Sequence, residues 1–292
     1  MQSLATLSKL IRLPHWSKNL LIFVPLVTAH QFTEKSSLIP GLLAFISFSL
    51  AASCTYIIND LADLSFDRTH SQKQKRPLAS GAISKSLALL LAVTMLVGSI
   101  GLGCLLPLAY LQVLAFYITA TLLYSLVLKK LLIVDIVTLG VLFSVRLYAG
   151  ASATNIEISF WLLAFSFFIF FSLAIVKRYS DLLSETAGEL DQLPGRAYRK
   201  NDSLPLLCIG IGSGMVAVLV LALYMNSAHI ATMYDQPIYL WFLCPLITYW
   251  VMRFWIKAHR GEKLGDPVLF ALTDSASYVS LALILALMYL AI

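Results

Sequence analysis

The sequence predicts an all-α, polytopic membrane protein with about nine transmembrane helices in one domain, residues 1–292. Of its 292 residues, 59% are hydrophobic and only 12% are charged, whereas about a quarter of the residues in a soluble domain are charged. A helix needs about twenty mostly apolar residues to cross a bilayer, and about nine segments approach that length. They are Leu20–His30 with its flanks, Leu38–Ile58, Leu87–Leu106, Leu108–Leu128, Ile133–Ala153, Phe160–Val176, Leu204–Met225, Ile238–Ile256 and Val268–Ile292.

Lysine and arginine occur in alternate loops, and this distribution predicts the orientation of the chain. The loops on the opposite side contain only Lys35. The basic side carries Lys9, Arg12, Lys18, Arg68, Lys73, Lys75, Arg76, Lys85, Lys129, Lys130, Lys177, Arg178, Arg196, Arg199, Lys200, Arg253, Lys257, Arg260 and Lys263. Because cytoplasmic loops carry the excess of Lys and Arg, the amino terminus is predicted to be cytoplasmic. An odd number of spans then puts the carboxyl terminus outside.

The net charge, the amino-terminal sequence and the cysteines indicate which partners and processing to expect. The net charge of +6 is explained by the charge bias and by contact with anionic headgroups, so it implies a membrane and no nucleic acid. The amino end lacks a compact apolar core followed by a cleavage site, so we expect no cleaved signal peptide. Four cysteines lie within apolar spans and are predicted to be packing residues rather than metal ligands. A homo-oligomer is compatible with these features.

Four oxygen-bearing side chains lie close together at the end of the second apolar segment: Asn59, Asp60, Asp63 and Asp67. Residues four apart on a helix share a face, so Asp63 and Asp67 are expected to point the same way. Such hard ligands suit Mg²⁺, which leaves its other positions to water and phosphate oxygens. The cluster therefore predicts a magnesium–diphosphate site at the membrane surface. The alternative is a solvated helix end whose charges only set topology.

A second polar segment starts at Lys177 and continues through Arg178 to Asp181 and Glu185. The two acidic residues are again four apart, and the two basic residues one turn earlier are candidates for binding phosphate. Two acidic clusters of this kind could bracket a metal-bound diphosphate. The alternative is a basic anchor at the membrane surface followed by a solvated amphipathic loop.

Other polar residues are candidates for contact with a charged substrate. Arg146 lies in an apolar span, where a charge requires a partner or a phosphate, so it is either a structural ion pair or a substrate contact. Lys18 and Asn19 precede the first span. Either both donate hydrogen bonds to a phosphate, or they serve as a charge that sets topology and a helix cap. Asp266 precedes a proline and is predicted to cap the last helix.

Several classes of protein are not supported by these residues. The sequence has no Gly-x-x-x-x-Gly-Lys-Ser/Thr phosphate loop, no paired histidine ligands and no nucleophilic Ser or Cys with a recognisable base nearby. An ion-coupled transporter stays open because carboxylates in helices also mark ion pathways. These carboxylates, however, lie at the ends of spans rather than at the midplane, which favours an enzyme.

The spaced motif Asn59-Asp60-x-x-Asp63-x-x-x-Asp67-Arg68, followed by Lys75-Arg76-Pro77, closely resembles the first signature of the UbiA superfamily of intramembrane prenyltransferases. The resemblance covers nearly the whole chain and implies a helical bundle that binds Mg²⁺ and diphosphate. It implies that Asn59, Asp60, Asp63 and Asp67 bind the metal, that Asp63, Asp67 and Asp181 are catalytic, and that Arg68, Lys75 and Arg76 contact the substrate.

Three further segments resemble the decaprenyl-phosphate phosphoribosyltransferase branch of that superfamily. They are Pro14-His15-Trp16-Ser17-Lys18-Asn19, Lys177-Arg178-Tyr179-Ser180-Asp181, and Gly261-Glu262 with Leu264-Gly265-Asp266-Pro267. The branch implies transfer of 5-phosphoribose from phosphoribosyl diphosphate to a polyprenyl phosphate at the cytoplasmic face of the cell membrane. Glu185 departs from the Asp-x-x-x-Asp motif of aromatic prenyltransferases and is a candidate metal ligand. Transfer of a polyprenyl chain to an aromatic or other small acceptor is the alternative activity.

Overall fold

The computed structural model of the chain describes residues 4–69, 73–183, 192–193, 195–227, 230, 233–262 and 264–292. The chain divides into two compact units, Met1–Lys129 with Val145–Ile158, and Lys130–Ser144 with Ser159–Ile292. Within the described residues the secondary structure is helical, apart from one isolated bridge between Gln192 and Arg199. The all-α prediction is confirmed, whereas a single domain over residues 1–292 stays a prediction.

The first unit contains six complete α-helices and two complete 3-10 helices among the described residues. The α-helices are α1 (Leu4–Leu10), α2 (Val24–Thr28), α3 (Lys35–Ala62), α4 (Leu64–Thr69), α5 (Lys85–Gly103) and α6 (Leu108–Leu126). The 3-10 helices are Leu13–Phe23 and Lys73–Lys75, and a third, Leu128–Lys130, follows α6. The end of α7 (Val134–Thr154) completes this unit.

The second unit starts with the first half of α7 and continues with five further α-helices among the described residues. These are α8 (Phe160–Leu183), α9 (Ser203–Met225), α10 (Leu243–His259), α11 (Pro267–Ala271) and α12 (Ser275–Ala291). Short 3-10 helices, Lys200–Asp202 and Pro237–Phe242, precede α9 and α10.

Seven helical segments in the described part of the chain are long and apolar enough to cross a membrane. They are Lys35–Ala62, Lys85–Gly103, Leu108–Leu126, Val134–Thr154, Phe160–Leu183, Lys200–Met225 and Pro237–His259. Each overlaps one of the predicted spans, so the prediction of a multi-pass membrane protein is confirmed. The predicted count of nine and the cytoplasmic amino terminus stay predictions.

The first and last predicted spans differ from the structure for local reasons. In place of the first, the chain forms the 3-10 helix Leu13–Phe23 and the five-residue α2, each with a proline at its start. The last span is divided because Asp274 accepts a hydrogen bond from the backbone N–H of Ser277 and so caps a new helix. The remaining apolar helix, Ser275–Ala291, is 17 residues long.

Small residues and hydroxyl groups join the helices within each unit. In the first unit, Ser47 donates to the carbonyl of Ser99 at 2.8 Å, and Ser99 donates to the carbonyl of Ser47 at 2.7 Å. In the second unit, Trp255 donates to Ser172, which donates to the carbonyl of Gly210 at 2.7 Å. Such bonds suit helices in lipid, where apolar burial alone gives little preference for one neighbour.

Candidate active site

The acidic motif lies where α3 ends in the first unit. Asp63 stands after the last residue of α3, and α4 starts at the next residue, so the motif does not lie on one continuous helix as predicted. Helical spacing is retained across the break, because the N–H of Asp63 donates to Asn59 and that of Asp67 donates to Asp63, both at 2.9 Å. The break lets the carboxylates turn toward different partners.

Each aspartate of the motif is paired with a basic residue from another segment. Asp60 accepts from Arg12 at 2.6 Å and from Arg76 at 3.1 Å. The same Arg76 nitrogen donates to Asp67 at 2.7 Å, so one guanidinium joins two carboxylates. Lys129 pairs with Asp63 at 2.8 Å. Buried carboxylates need such partners, because an unpaired charge away from water is costly.

Arg12 is held in position by its backbone and by an aromatic ring. Its φ of 53° lies in the left-handed region, which is uncommon for a residue with a side chain. Its guanidinium carbon lies 4.6 Å from the ring centroid of Tyr56, a cation–π distance. This conformation directs the guanidinium toward Asp60.

The motif has the chemistry of a site for a hard cation. Asp67 is 1% exposed, and its Oδ1 has no hydrogen-bond partner among the described residues, so one buried oxygen is left for a ligand. Carboxylate and amide oxygens are the donors that Mg²⁺ prefers. In the described part of the chain, no three His, Cys, Asp or Glu side chains converge as a metal-binding group. The carboxylates do not converge because each is paired with basic side chains from other segments.

A second polar cluster in the same unit contains Arg146, and both it and Asn19 are buried. Arg146 donates to the amide oxygen of Asn19 at 2.9 Å and to the Tyr117 hydroxyl at 3.4 Å. Its guanidinium carbon also lies 5.6 Å from the ring centroid of Phe48. Lys18, next in sequence to Asn19, is 7% exposed. Two predicted substrate-binding residues, Asn19 and Arg146, are therefore in direct contact.

Close backbone packing supports that cluster. A Cβ added at Gly150 would lie 1.9 Å from the carbonyl oxygen of Ile22, so only glycine fits there. This contact brings α7, which carries Arg146, against the 3-10 helix that carries Lys18 and Asn19. A small residue one turn after Arg146 therefore allows the two backbones to pack closely.

In the second unit, Arg178 is bonded to carboxylates. It donates to Asp135 at 2.5 and 3.2 Å, and to Asp181 at 3.3 Å. Lys177 lies 3.5 Å from the carbonyl oxygen of Gly265. Asp266 accepts from the N–H groups of Val268 and Leu269, so it caps a helix as predicted. That helix is the five-residue α11, whereas the last helix, α12, is capped by Asp274.

The other candidates are located as follows. Arg68 and Lys75 are exposed on the first unit. Glu185 lies outside the described residues. The predicted bracketing of a diphosphate by the two acidic segments stays a prediction.

Several residues of these clusters were not assigned a role from the sequence. The sequence predicts only a role in topology for Arg12 and Lys129, and it indicates no individual role for Tyr117 and Arg196. These pairings cannot be predicted from the sequence because the partners are far apart in it. Arg12 bonds a carboxylate that is 48 positions away, and Lys129 bonds one that is 66 positions away. The signal that Arg12 and Lys129 share in the sequence is a basic residue within three positions of the end of an α-helix.

The family model described as "UbiA prenyltransferase family" matches residues 20–276. Three relatives cover much of the chain. The uncharacterized protein y4nM of Sinorhizobium fredii is 35% identical over 276 residues, covering 94% of this chain and 53% of that protein. The nodulation protein NoeC of Azorhizobium caulinodans is 32% identical over 280 residues, covering 94% and 90%. The decaprenyl-phosphate phosphoribosyltransferase of Mycobacterium tuberculosis is 32% identical over 199 residues, covering 66% and 63%. The chain thus spans about half the length of the first of these relatives.

Solved structures support the fold. A UbiA homologue from Archaeoglobus fulgidus, bound to GPP and Mg²⁺, superimposes with a TM-score of 0.72. The match covers 97% of this chain and 99% of that one at 20% identity. At this level of sequence identity, the match shows that the two chains share a fold.

Proposed function

Because the chain belongs to the UbiA prenyltransferase family, we propose that it transfers 5-phosphoribose from phosphoribosyl diphosphate to a polyprenyl phosphate and releases diphosphate. The observation that carries this proposal is the 32% identity, over 66% of the chain, to a protein named decaprenyl-phosphate phosphoribosyltransferase. The reaction would occur at the cytoplasmic face of the cell membrane. Two further relatives, y4nM and NoeC, have names that describe no reaction.

The acidic motif would hold the leaving group. Bound Mg²⁺ would neutralise the diphosphate as the bond to the anomeric carbon breaks. Asn59, Asp60, Asp63 and Asp67 would hold the metal, and the open Oδ1 of Asp67 supports this assignment. Asp181 and Glu185 remain candidates for the same chemistry.

The basic residues that pair with these aspartates would then bind the diphosphate oxygens. Arg12, Arg76 and Lys129 each lie within 3.1 Å of a motif carboxylate. When a cation replaces them there, their N–H groups become available to phosphate, which arginine binds through paired hydrogen bonds. Arg68 and Lys75, which are exposed near this segment, are further candidates for diphosphate contact.

The acceptor would need cations rather than a general base. A phosphate monoester is already anionic at neutral pH, and two phosphorylated substrates repel each other unless positive charges lie close to both. Lys18 and Arg146, both buried in the first unit, are the candidates for this role. Lys177 and Arg178 were also predicted to contact phosphate.

Prenyl transfer to an aromatic or other small acceptor is the second candidate, since the family is named for prenyltransferases. In that reaction the lipid carries the diphosphate, so the acidic motif would act in the same way. Membership of this family gives no support to the ion-coupled transporter.

The test uses the purified chain with Mg²⁺, labelled phosphoribosyl diphosphate and a polyprenyl phosphate. We expect a labelled lipid and one diphosphate per product, with no reaction when either the lipid phosphate or Mg²⁺ is left out. Turnover of a prenyl diphosphate with 4-hydroxybenzoate, and none of phosphoribosyl diphosphate, would reverse the assignment.

A further inference from the structure

The turn that joins α1 to the first 3-10 helix is fastened to α3 by one buried hydroxyl group. Ser53 is 0% exposed, and it accepts from the indole N–H of Trp16 at 2.9 Å and donates to the carbonyl oxygen of Ile11 at 2.8 Å. The N–H of His15 donates to the carbonyl oxygen of Arg12 at 2.8 Å and closes the turn. The backbone on both sides of Arg12 is therefore fixed to the helix that leads into the acidic motif.

Arg12 contacts two side chains on the same face of α3. Tyr56 and Asp60 are four residues apart, so the helix presents them one above the other. The guanidinium carbon of Arg12 lies 4.6 Å from the ring centroid of Tyr56, and its Nη2 donates to Asp60 at 2.6 Å. The Arg12 side chain is 20% exposed, and Asp60 is the only side chain hydrogen-bonded to it among the described residues. The ring therefore supports the face of the guanidinium, while most of its N–H donors lie at the edges.

The contact with the ring differs from the ion pair in how it would respond to a metal. A carboxylate that binds a divalent cation attracts a guanidinium less strongly, so the bond between Arg12 and Asp60 would weaken. The attraction between a guanidinium and an aromatic face does not require that carboxylate. Arg76 is held differently, because its bonds go to Asp60 and Asp67 themselves. With a cation on the motif, Arg12 would keep its aromatic partner, whereas Arg76 would lose both of its carboxylates.

We propose that Tyr56 is a positioning residue of the diphosphate site. Its ring holds the Arg12 guanidinium beside the acidic motif while Asp60 binds the cation, and Arg12 then donates to a diphosphate oxygen. A guanidinium suits this contact because its N–H donors form a planar fork that matches phosphate oxygens. The inference rests on the proposed function only for the presence of a diphosphate, which both candidate reactions release.

The experiment measures the binding of inorganic diphosphate to the purified full chain by calorimetry, with Mg²⁺ present throughout. We expect Tyr56→Leu to weaken this binding by about fivefold or more, which is the ratio that corresponds to the loss of a cation–π contact. Tyr56→Phe keeps the ring and should recover most of the loss. The matched control is Phe45→Leu, which removes a ring of α3 that packs against Trp16 rather than against Arg12, and it should leave the affinity within about twofold.

A double-mutant cycle separates positioning from a general effect on the fold. Because Tyr56 acts through Arg12, Tyr56→Leu should weaken diphosphate binding no further in a chain that already carries Arg12→Ala. A purely structural role would lower the melting temperature and add the same loss of affinity in both backgrounds. If Tyr56→Leu does not fold, Tyr56→Met replaces it in the cycle, because the unbranched methionine side chain fills irregular space more readily.

The outcomes separate this inference from the proposed function. Unchanged diphosphate affinity of the folded Tyr56→Leu variant, or a loss that persists in full beside Arg12→Ala, overturns the inference even where the wild type turns over phosphoribosyl diphosphate. A wild type that binds no diphosphate in the presence of Mg²⁺ overturns it as well. Diphosphate binding that depends on Tyr56 through Arg12, without any turnover of phosphoribosyl diphosphate, supports the inference and counts against the proposed function.

Discussion

Arg76 and Asp67 lie 2.7 Å apart through Nη1 and Oδ2, while the other oxygen of the Asp67 carboxylate is buried without a hydrogen-bond partner among the described residues. One oxygen is thus paired with a guanidinium, and the other has no partner among the described residues. Since Arg76 also bonds Asp60, a single side chain holds the two buried carboxylates of the motif. A cation held by these carboxylates would therefore compete with Arg76, and the released guanidinium would be available to diphosphate, as proposed above.

Asp67→Asn should reduce turnover by at least about a hundredfold while the protein stays folded. The amide keeps the shape of the side chain but loses the charge that would hold a cation. Asp63→Asn should have the same direction of effect. Turnover and the melting temperature of the purified variants give the measurement, with Glu34→Gln, an exposed acid at the start of α3, as the control. Near-normal turnover in both aspartate variants would contradict the metal assignment.

Magnesium and diphosphate should strengthen each other's binding. With Mg²⁺ alone, the cation must displace Arg76 from its carboxylates, and with diphosphate present the displaced guanidinium gains new acceptors. Calorimetry should show weak binding of Mg²⁺ alone and much tighter binding with inorganic diphosphate, and chelation with EDTA should abolish diphosphate binding.

Arg76→Ala should have opposite effects on the binding of Mg²⁺ and on the enhancement by diphosphate. Mg²⁺ alone should bind more tightly than to the wild type, because the competing charge is gone, while the enhancement by diphosphate should shrink. Lys85→Ala, which removes an exposed lysine at the start of α5 in the same unit, is the control. Equal losses for Mg²⁺ alone and for Mg²⁺ with diphosphate would indicate that Arg76 only maintains the fold.

The membrane helices could be predicted because lipid imposes their length and composition. A segment such as Phe160–Leu183 must satisfy its own backbone in an apolar solvent, so its apolar run predicts where it begins. The helix continues beyond the predicted end at Val176 through charged residues, which hydropathy does not predict. The ends of the chain depend instead on single residues. Asp274 interrupts an apolar run because its side chain accepts from the N–H of Ser277 and caps a helix. The mean hydropathy of the segment does not detect that hydrogen bond.

The acidic motif could be predicted for a similar reason, since its spacing is local. Its partners could not, because Arg12 and Lys129 are joined to Asp60 and Asp63 by packing rather than by sequence. Arg178 was predicted to contact phosphate from its position after a span. The structure gives it a buried carboxylate, and that pairing depends on where α7 and α8 meet.

Gly150→Ala should destabilise the first unit by about 1–3 kcal/mol or more. The added methyl group would lie 1.9 Å from the carbonyl oxygen of Ile22, and a backbone atom cannot move aside cheaply. The control is Gly101→Ala in α5, where a Cβ meets nothing within 4 Å. A helix there should gain about 0.5–1 kcal/mol from alanine. Thermal unfolding in detergent measures both, and equal melting temperatures would contradict the close contact.

The link between α11 and α12 should make the second unit sensitive to acid. Asp274 accepts from Arg253 at 2.6 and 2.8 Å, and these bonds, opposed in part by burial, lower the pKa of Asp274 to about 2. A carboxyl whose pKa is lower in the folded state contributes stability above its unfolded pKa of about 4, and that stability is lost as the pH falls toward about 2. Asp274→Asn should therefore lower the melting temperature at pH 7, and the difference from the wild type should narrow between about pH 4 and pH 2. Asp202→Asn, which removes a partly exposed acid whose side chain accepts from the backbone N–H of Arg199, is the control for a general effect of charge. A difference that persists unchanged at pH 2 would show that Asp274 acts through packing rather than through its charge.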